Sequence, residues 1–129
     1  MSEAEWEYVA RSDPKSDHSL EGNDTAVAAY KASRKGGPRL VGQKKPNAFG
    51  LHDMLDNVSE WVEDCFHSRD EGEAPTDGSA WTGICSYRVI RGGSNEDAAD
   101  SIRASKRGLA PAKFKQKTVG FRVARTLNP

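Results

Sequence analysis

Cys65 and Cys85 are the chain's two thiols, and His18, His52 and His67 are its three imidazoles. A zinc, copper or iron centre needs such groups converging on one ion. No CxxC, HxxxH or HxH occurs, so the spacing matches no metal motif. The twenty-residue separation of Cys65 and Cys85 suits a disulfide loop, worth about 3 kcal/mol on a chain-entropy estimate. It suits two unrelated thiols equally well. Among the oxygen-bearing residues, Asn57-Val58-Ser59-Glu60 has the spacing of a helix N-cap followed three residues on by Glu, with Trp61-Val62 as an apolar continuation. Arginine recurs at Arg88, Arg91, Arg103, Arg107, Arg122 and Arg125. In a turn-rich chain this pattern predicts guanidinium groups holding carboxylates and carbonyls rather than a one-sided phosphate-binding patch.

The elements that must carry these groups are short. Ser2-Glu3-Ala4-Glu5 reads as a capping box, and Trp6, Val9 and Ala10 give residues 3 to 11 an apolar face at helical spacing. Asp13-Pro14 ends that helix. Composition allows a second helix from Thr25 to Lys35, stopped by Gly36-Gly37-Pro38, and a short strand over Arg39 to Gly42. Residues 67 to 83 form a long loop. Tyr87 to Arg91 alternates and is rich in strand formers, with Gly92-Gly93 ending it. Residues 94 to 118 hold few large apolar side chains and read as mostly irregular. Val119, Phe121 and Val123 alternate in a closing strand. Trp6, Trp61 and Phe121 are expected in the core, whereas Trp81, in a polar loop, is the aromatic candidate for an exposed contact.

At 129 residues the chain is bounded to one small domain, and its order of elements is α+β, without a βαβ series. The charge balances at 19 basic and 19 acidic residues, which gives no field for nucleic acid or an anionic membrane. No run of apolar residues is long enough to span a bilayer. The polar start, MSEAEWEYVAR, does not have the character of a signal peptide.

Several separated blocks carry a resemblance. AEWEYVAR, PNAFGLHDMLDNVSEWVEDC, APTDGSAW with CSYRVIRGGS, SIRASKRGLAP and VGFRVART stand in the order, and close to the wording, of the formylglycine-generating-enzyme (sulfatase-modifying factor) family. The resemblance covers most of residues 3 to 126. It implies a C-type-lectin-like fold, with short helices, a small mixed sheet and long loops. It also implies that residues 1 to 129 form a single domain lacking the family's usual N-terminal portion. If the natural start lies upstream, an extracytoplasmic bacterial location is expected.

The family's founding reaction oxidises a substrate cysteine to formylglycine with oxygen and copper held by two thiols that follow the GGS motif. This chain has no cysteine after Cys85, so copper is not expected. A similar EDC…C pair in bacterial members favours a Cys65–Cys85 disulfide. A branch that uses iron and histidine leaves His52, His67 and Asp64 as a minor candidate set. Some members bind Ca2+ in the segment matching DMLDNVSE. That implies side-chain oxygens from Asp53 and Glu60 and carbonyls from Asp56 and Val58. Asp56 replaces the family's usual Gly, and the competing expectation is a helix cap alone. A second family calcium position, near Gly42, has no side-chain ligand here.

The expected function is therefore a non-catalytic binding module for a protein or polar ligand. Its face would lie in residues 95 to 118 and include Asp97, Arg107, Lys113 and Lys115, with Lys106 and Lys117 adding basic charge. The alternatives are an oxidase of the formylglycine-generating type and a fragment without an independent role.

Overall fold

Ser2 and Glu5 cap the first helix reciprocally. The Ser2 amide donates to Glu5 Oε2 at 2.8 Å, and the Glu5 amide donates to Ser2 Oγ at 3.1 Å. This is seen in a computed structural model that describes residues 1–11, 36–68 and 72–125. The helix, α1, spans Glu3–Arg11 and buries Trp6 and Ala10. Its apolar face is the one expected from the sequence. The expected second helix at residues 25 to 35, and His18, lie outside the described residues.

Among the described residues four strands follow: β1 (Ser59–Cys65), β2 (Tyr87–Arg91), β3 (Arg107–Pro111) and β4 (Val119–Phe121). They form one mixed sheet in the order β3-β2-β1-β4. β1 pairs antiparallel with β2, β2 antiparallel with β3, and β1 parallel with β4. A single 3-10 turn, Ala99–Ser101, interrupts the segment between β2 and β3.

β1 corrects an expectation, because the cap-like run at residues 57 to 60 starts a strand and not a helix. Asn57 has φ 69°. Its side chain does not cap; Oδ1 accepts the Arg39 amide at 2.8 Å and Nδ2 donates to the Arg39 carbonyl at 3.3 Å. Glu60 points into the protein and is held by tertiary partners. A helix-start pattern is only a local preference, and tertiary pairing overrides it here.

β3 was not legible in residues 94 to 118. It is an edge strand built from Arg-Gly-Leu-Ala-Pro, where Pro is tolerated because one side of the strand has no ladder to feed. Gly108 is needed there, since a Cβ would stand 2.8 Å from Ile90 Cγ1 on β2. The proposed strand at residues 39 to 42 is absent; the backbone turns at Val41-Gly42, and Leu40 and Val41 are exposed.

The core joins α1 to one face of the sheet through Trp6, Ala10, Met54, Val62, Val89 and Ala104. Trp6 is only 1% exposed. Burying a side chain of that size stabilises by roughly 4–6 kcal/mol at about 25 cal/mol per Å2, as an upper estimate. Gly92, at φ 92°, lets the chain pass this ring, because a Cβ would meet the Met54 carbonyl oxygen at 2.9 Å. Trp61 is half-buried, but Phe121 is 75% exposed. The placement of Phe121 in the core is therefore corrected. Among the described residues β4 is the last strand on its side of the sheet, and Phe121 stands beside Trp61, its register partner on β1.

Candidate functional site

Two carboxylate–guanidinium clusters hold the frame. In the first, Glu60 accepts from Trp6 Nε1 at 2.8 Å and from Arg122 through both oxygens, at 2.9 and 2.7 Å. Arg122 also donates to the His52 carbonyl at 2.9 Å. In the second, buried Arg91 donates to Glu3 at 2.8 Å, to Glu7 and to the Ala104 carbonyl. Arg107 reaches Glu3 through Nε and Nη2, at 2.7 and 2.8 Å. Hydrogen bonding to the Glu3 carboxylate raises the Arg107 pKa above the usual arginine value, against a smaller opposing effect of burial. These arginines do the structural work expected of them, binding carboxylates and carbonyls.

The two carboxylates nominated for calcium, Asp53 and Glu60, each accept from protein donors, and the Asp56 side chain, whose carbonyl was the oxygen nominated, is paired as well. Asp53 Oδ2 accepts the Gly42 amide at 2.7 Å, Asp56 pairs with the Lys44 ammonium, and both Glu60 oxygens serve Trp6 and Arg122. Calcium requires about six to eight oxygens with little competing positive charge. Lys44 beside Asp56 and Arg122 on Glu60 do not fit such a shell. Val58 lies between these residues at the entry to β1, half-buried.

Cys65 and Cys85 form a disulfide, and neither thiol is left for a metal. The bond closes the long loop onto β1, where the Cys65 amide also donates to the Trp81 carbonyl at 2.9 Å. Trp81 stacks on His67 with centroids 3.8 Å apart, so one face of the ring is already covered. Asp64 accepts the Glu3 amide at 2.6 Å and the Trp81 amide at 2.8 Å. His52 Nδ1 lies 2.7 Å from the Lys44 carbonyl, and His67 Nδ1 lies 3.1 Å from the Cys65 carbonyl. Among the described residues no three His, Cys, Asp or Glu side chains gather as a metal site.

In the segment after Gly92-Gly93, Asp97 closes a turn. Its Oδ2 accepts from the Ser94 amide and hydroxyl at 2.8 and 2.9 Å, and its Oδ1 accepts from Lys106 at 2.7 Å. Partial burial pushes the Asp97 pKa upward, but Lys106 and Ser94 outweigh it and hold the carboxyl below the ordinary Asp value. Of the four nominated face residues, Asp97 and Arg107 are thus tied into the frame. Lys113 and Lys115 are exposed on the connection from β3 to β4.

That connection borders a feature missed in the sequence. A cleft of about 410 Å3 is lined by Trp61, Phe114, Lys115, Lys117, Val119 and Phe121, among others. A larger one, about 660 Å3, lies beside Val41, Leu51, Val58, Phe121, Arg122 and Val123. The alternation of Val119, Phe121 and Val123 was the available signal. It marked the strand, but it could not distinguish an edge strand from an internal one.

Known proteins place this frame. Serine/threonine-protein kinase pkn1 of Chlamydia pneumoniae is 37% identical over 89 residues, which cover 64% of this chain and 14% of that protein. Its namesake in Chlamydia caviae is 38% identical over 85 residues, covering 61% of this chain and 13% of that protein. Among solved structures, Treponema denticola variable protein 1 superposes with a TM-score of 0.78 at 28% identity, covering 93% of this chain and 44% of its own. PvdO from Pseudomonas aeruginosa superposes with a TM-score of 0.72 at 33% identity, covering 94% and 49%. The chain spans less than half the length of each of these proteins. The profile of the sulfatase-modifying factor enzyme 1-like domain matches residues 1–127. The chain, whose described residues carry α1 and the mixed sheet, belongs to the sulfatase-modifying factor enzyme 1-like family.

Proposed function

We propose that this chain is a non-catalytic binding module of its family, presenting the basic connection from β3 to β4 to a protein partner. One observation carries the proposal: Lys113 and Lys115 are exposed, and Lys115 borders a cleft walled by Trp61, Phe114 and Phe121. A rigid frame with an exposed, mixed basic and aromatic loop suits recognition. The family oxidation needs a thiol pair, and here both sulfurs are spent in one disulfide. The kinase names of two relatives do not transfer as an activity. The chain contains neither an HRD nor a DFG triplet, and the similarity covers a small part of each kinase. In those longer proteins the shared segment would serve as an attached recognition unit. The test is affinity capture with the immobilised chain, comparing it with Lys113→Glu/Lys115→Glu. Partners lost on charge reversal support the proposal; capture that is indifferent to both substitutions removes the face.

A further inference from the structure

Arg107, at the start of β3, is gripped from two sides. Its guanidinium donates to Glu3 of α1 through Nε and Nη2, at 2.7 and 2.8 Å. Its Nη1 reaches the His67 carbonyl at 3.3 Å, and its guanidinium carbon lies 5.1 Å from the centre of the Phe66 ring. Phe66 and His67 are the two residues that follow Cys65.

Both sides of this grip lead back to the loop that the Cys65–Cys85 disulfide closes. On one side, the His67 ring stacks on Trp81 at 3.8 Å. Trp81 is bound to β1 through both backbone groups. Its amide donates to Asp64 Oδ1 at 2.8 Å, and its carbonyl accepts the Cys65 amide at 2.9 Å. On the other side, the Gly78 carbonyl accepts the Ser2 hydroxyl at 2.7 Å, and that hydroxyl oxygen caps α1 by accepting the Glu5 amide. Asp64 joins the two sides, because its second oxygen accepts the Glu3 amide at 2.6 Å. The placement of Glu3, and with it the carboxylate that holds Arg107, thus depends on contacts made by Gly78 and Trp81.

The two sulfurs differ in their surroundings. Cys65 is 1% exposed, whereas Cys85 is half-buried, which directs an incoming thiolate to Cys85. With a dithiol as reductant, its thiolate attacks Cys85 Sγ, the bond to Cys65 breaks, and the Cys65 thiolate takes a proton from water. The second thiol of the reductant then displaces Cys85, which is protonated in turn. The protein disulfide gains two electrons and two protons, and the reductant closes into its own disulfide.

We infer that the Cys65–Cys85 disulfide is a redox latch on Arg107. Oxidised, it holds the guanidinium between Glu3 and the Phe66–His67 step; reduced by a dithiol, it lets residues 78 to 81 move away and frees the guanidinium. The Trp6–Glu60–Arg122 cluster lies outside this chain of contacts and keeps the frame folded when the bond opens. Lys113 and Lys115 take no part in the latch, so it and the proposed binding face can fail separately.

The whole chain is titrated with dithiothreitol and followed by NMR of the arginine Nε–H groups, with thiols counted by alkylation and mass spectrometry. Both thiols should appear while the amide shifts of α1 and β2 persist. The Arg107 Nε–H should lose its protection from exchange, while that of Arg122, bound to Glu60, keeps its own. Reoxidation should restore the Arg107 signal. In the oxidised chain, Ser2→Ala and Trp81→Leu each cut one side of the grip and should each reproduce part of the loss. Cys65→Ala/Cys85→Ala should show the unprotected Arg107 without any reductant. An Arg107 signal that stays protected after both thiols are alkylated, or in the double alanine variant, would overturn the latch. Alkylation that proceeds only as the α1 and β2 shifts collapse would overturn it too, and would make the bond a staple of the fold.

Discussion

Trp6 Nε1 donates to Glu60 Oε2 at 2.8 Å, joining the first helix to the first strand across 54 residues of sequence. The same carboxylate takes the Arg122 guanidinium, so one side chain ties together α1, β1 and the segment after β4. Glu60 is 6% exposed. Removing it would leave a buried indole N–H and a largely buried cation without their acceptor.

Glu60→Ala should therefore destabilise the chain by about 2–4 kcal/mol. Glu60→Gln, which keeps an acceptor for Trp6 but not the charge, should cost less. Urea unfolding followed by tryptophan fluorescence measures both. Equal and small effects would show that the carboxylate does not hold the frame.

The disulfide closes residues 66 to 84 against β1, with Trp81 seated on His67 beside it. Reduction should lower stability by about 3 kcal/mol. Trp81 should become more exposed as the loop loosens. Thermal unfolding with and without reductant, together with fluorescence quenching, checks both outcomes.

Asp97 supplies a pH dependence with a defined sign. Its folded pKa lies below the ordinary Asp value, through Lys106 and Ser94 acting against burial. The unfolded chain therefore binds the proton more tightly over that range. The stabilisation is fully present above the unfolded pKa, near 4, and is lost as pH falls through the lower folded value. Asp97→Asn should flatten the acid limb of the stability profile and lower stability at neutral pH. An unchanged acid limb would contradict the turn's dependence on this carboxylate.

The segment Asp53 to Glu60 is proposed to be held by protein cations in place of calcium, through Lys44 on Asp56 and Arg122 on Glu60. Adding Ca2+ or a chelator should leave the melting temperature unchanged. Lys44→Met should destabilise the chain by exposing the buried Asp56 carboxylate to an apolar neighbour. A melting temperature that rises with Ca2+ would restore the metal.

Much of the frame was legible in the sequence. The Ser2–Glu5 box, the apolar face of α1 and the alternation at Tyr87 to Arg91 are local patterns, and each appears where expected. The run at residues 57 to 60 misled because its cap and Glu are bound by distant partners, Arg39, Trp6 and Arg122, which no local window contains. β3 was hidden because an edge strand of Arg-Gly-Leu-Ala-Pro owes its form to β2, with Gly108 fitted against Ile90. The exposed lysines of the candidate face were visible as a charge run. Their neighbour Phe121 was not, since alternation alone does not reveal which of its two faces is exposed.

Whether this chain binds without oxidising is tested most directly by incubating it with copper, oxygen and a cysteine-containing sulfatase peptide, and following the peptide by mass spectrometry. The disulfide-bonded chain, having no other cysteine, should leave the peptide cysteine unconverted. Formylglycine that appears in proportion to the chain, and disappears in Cys65→Ser/Cys85→Ser, would contradict the account.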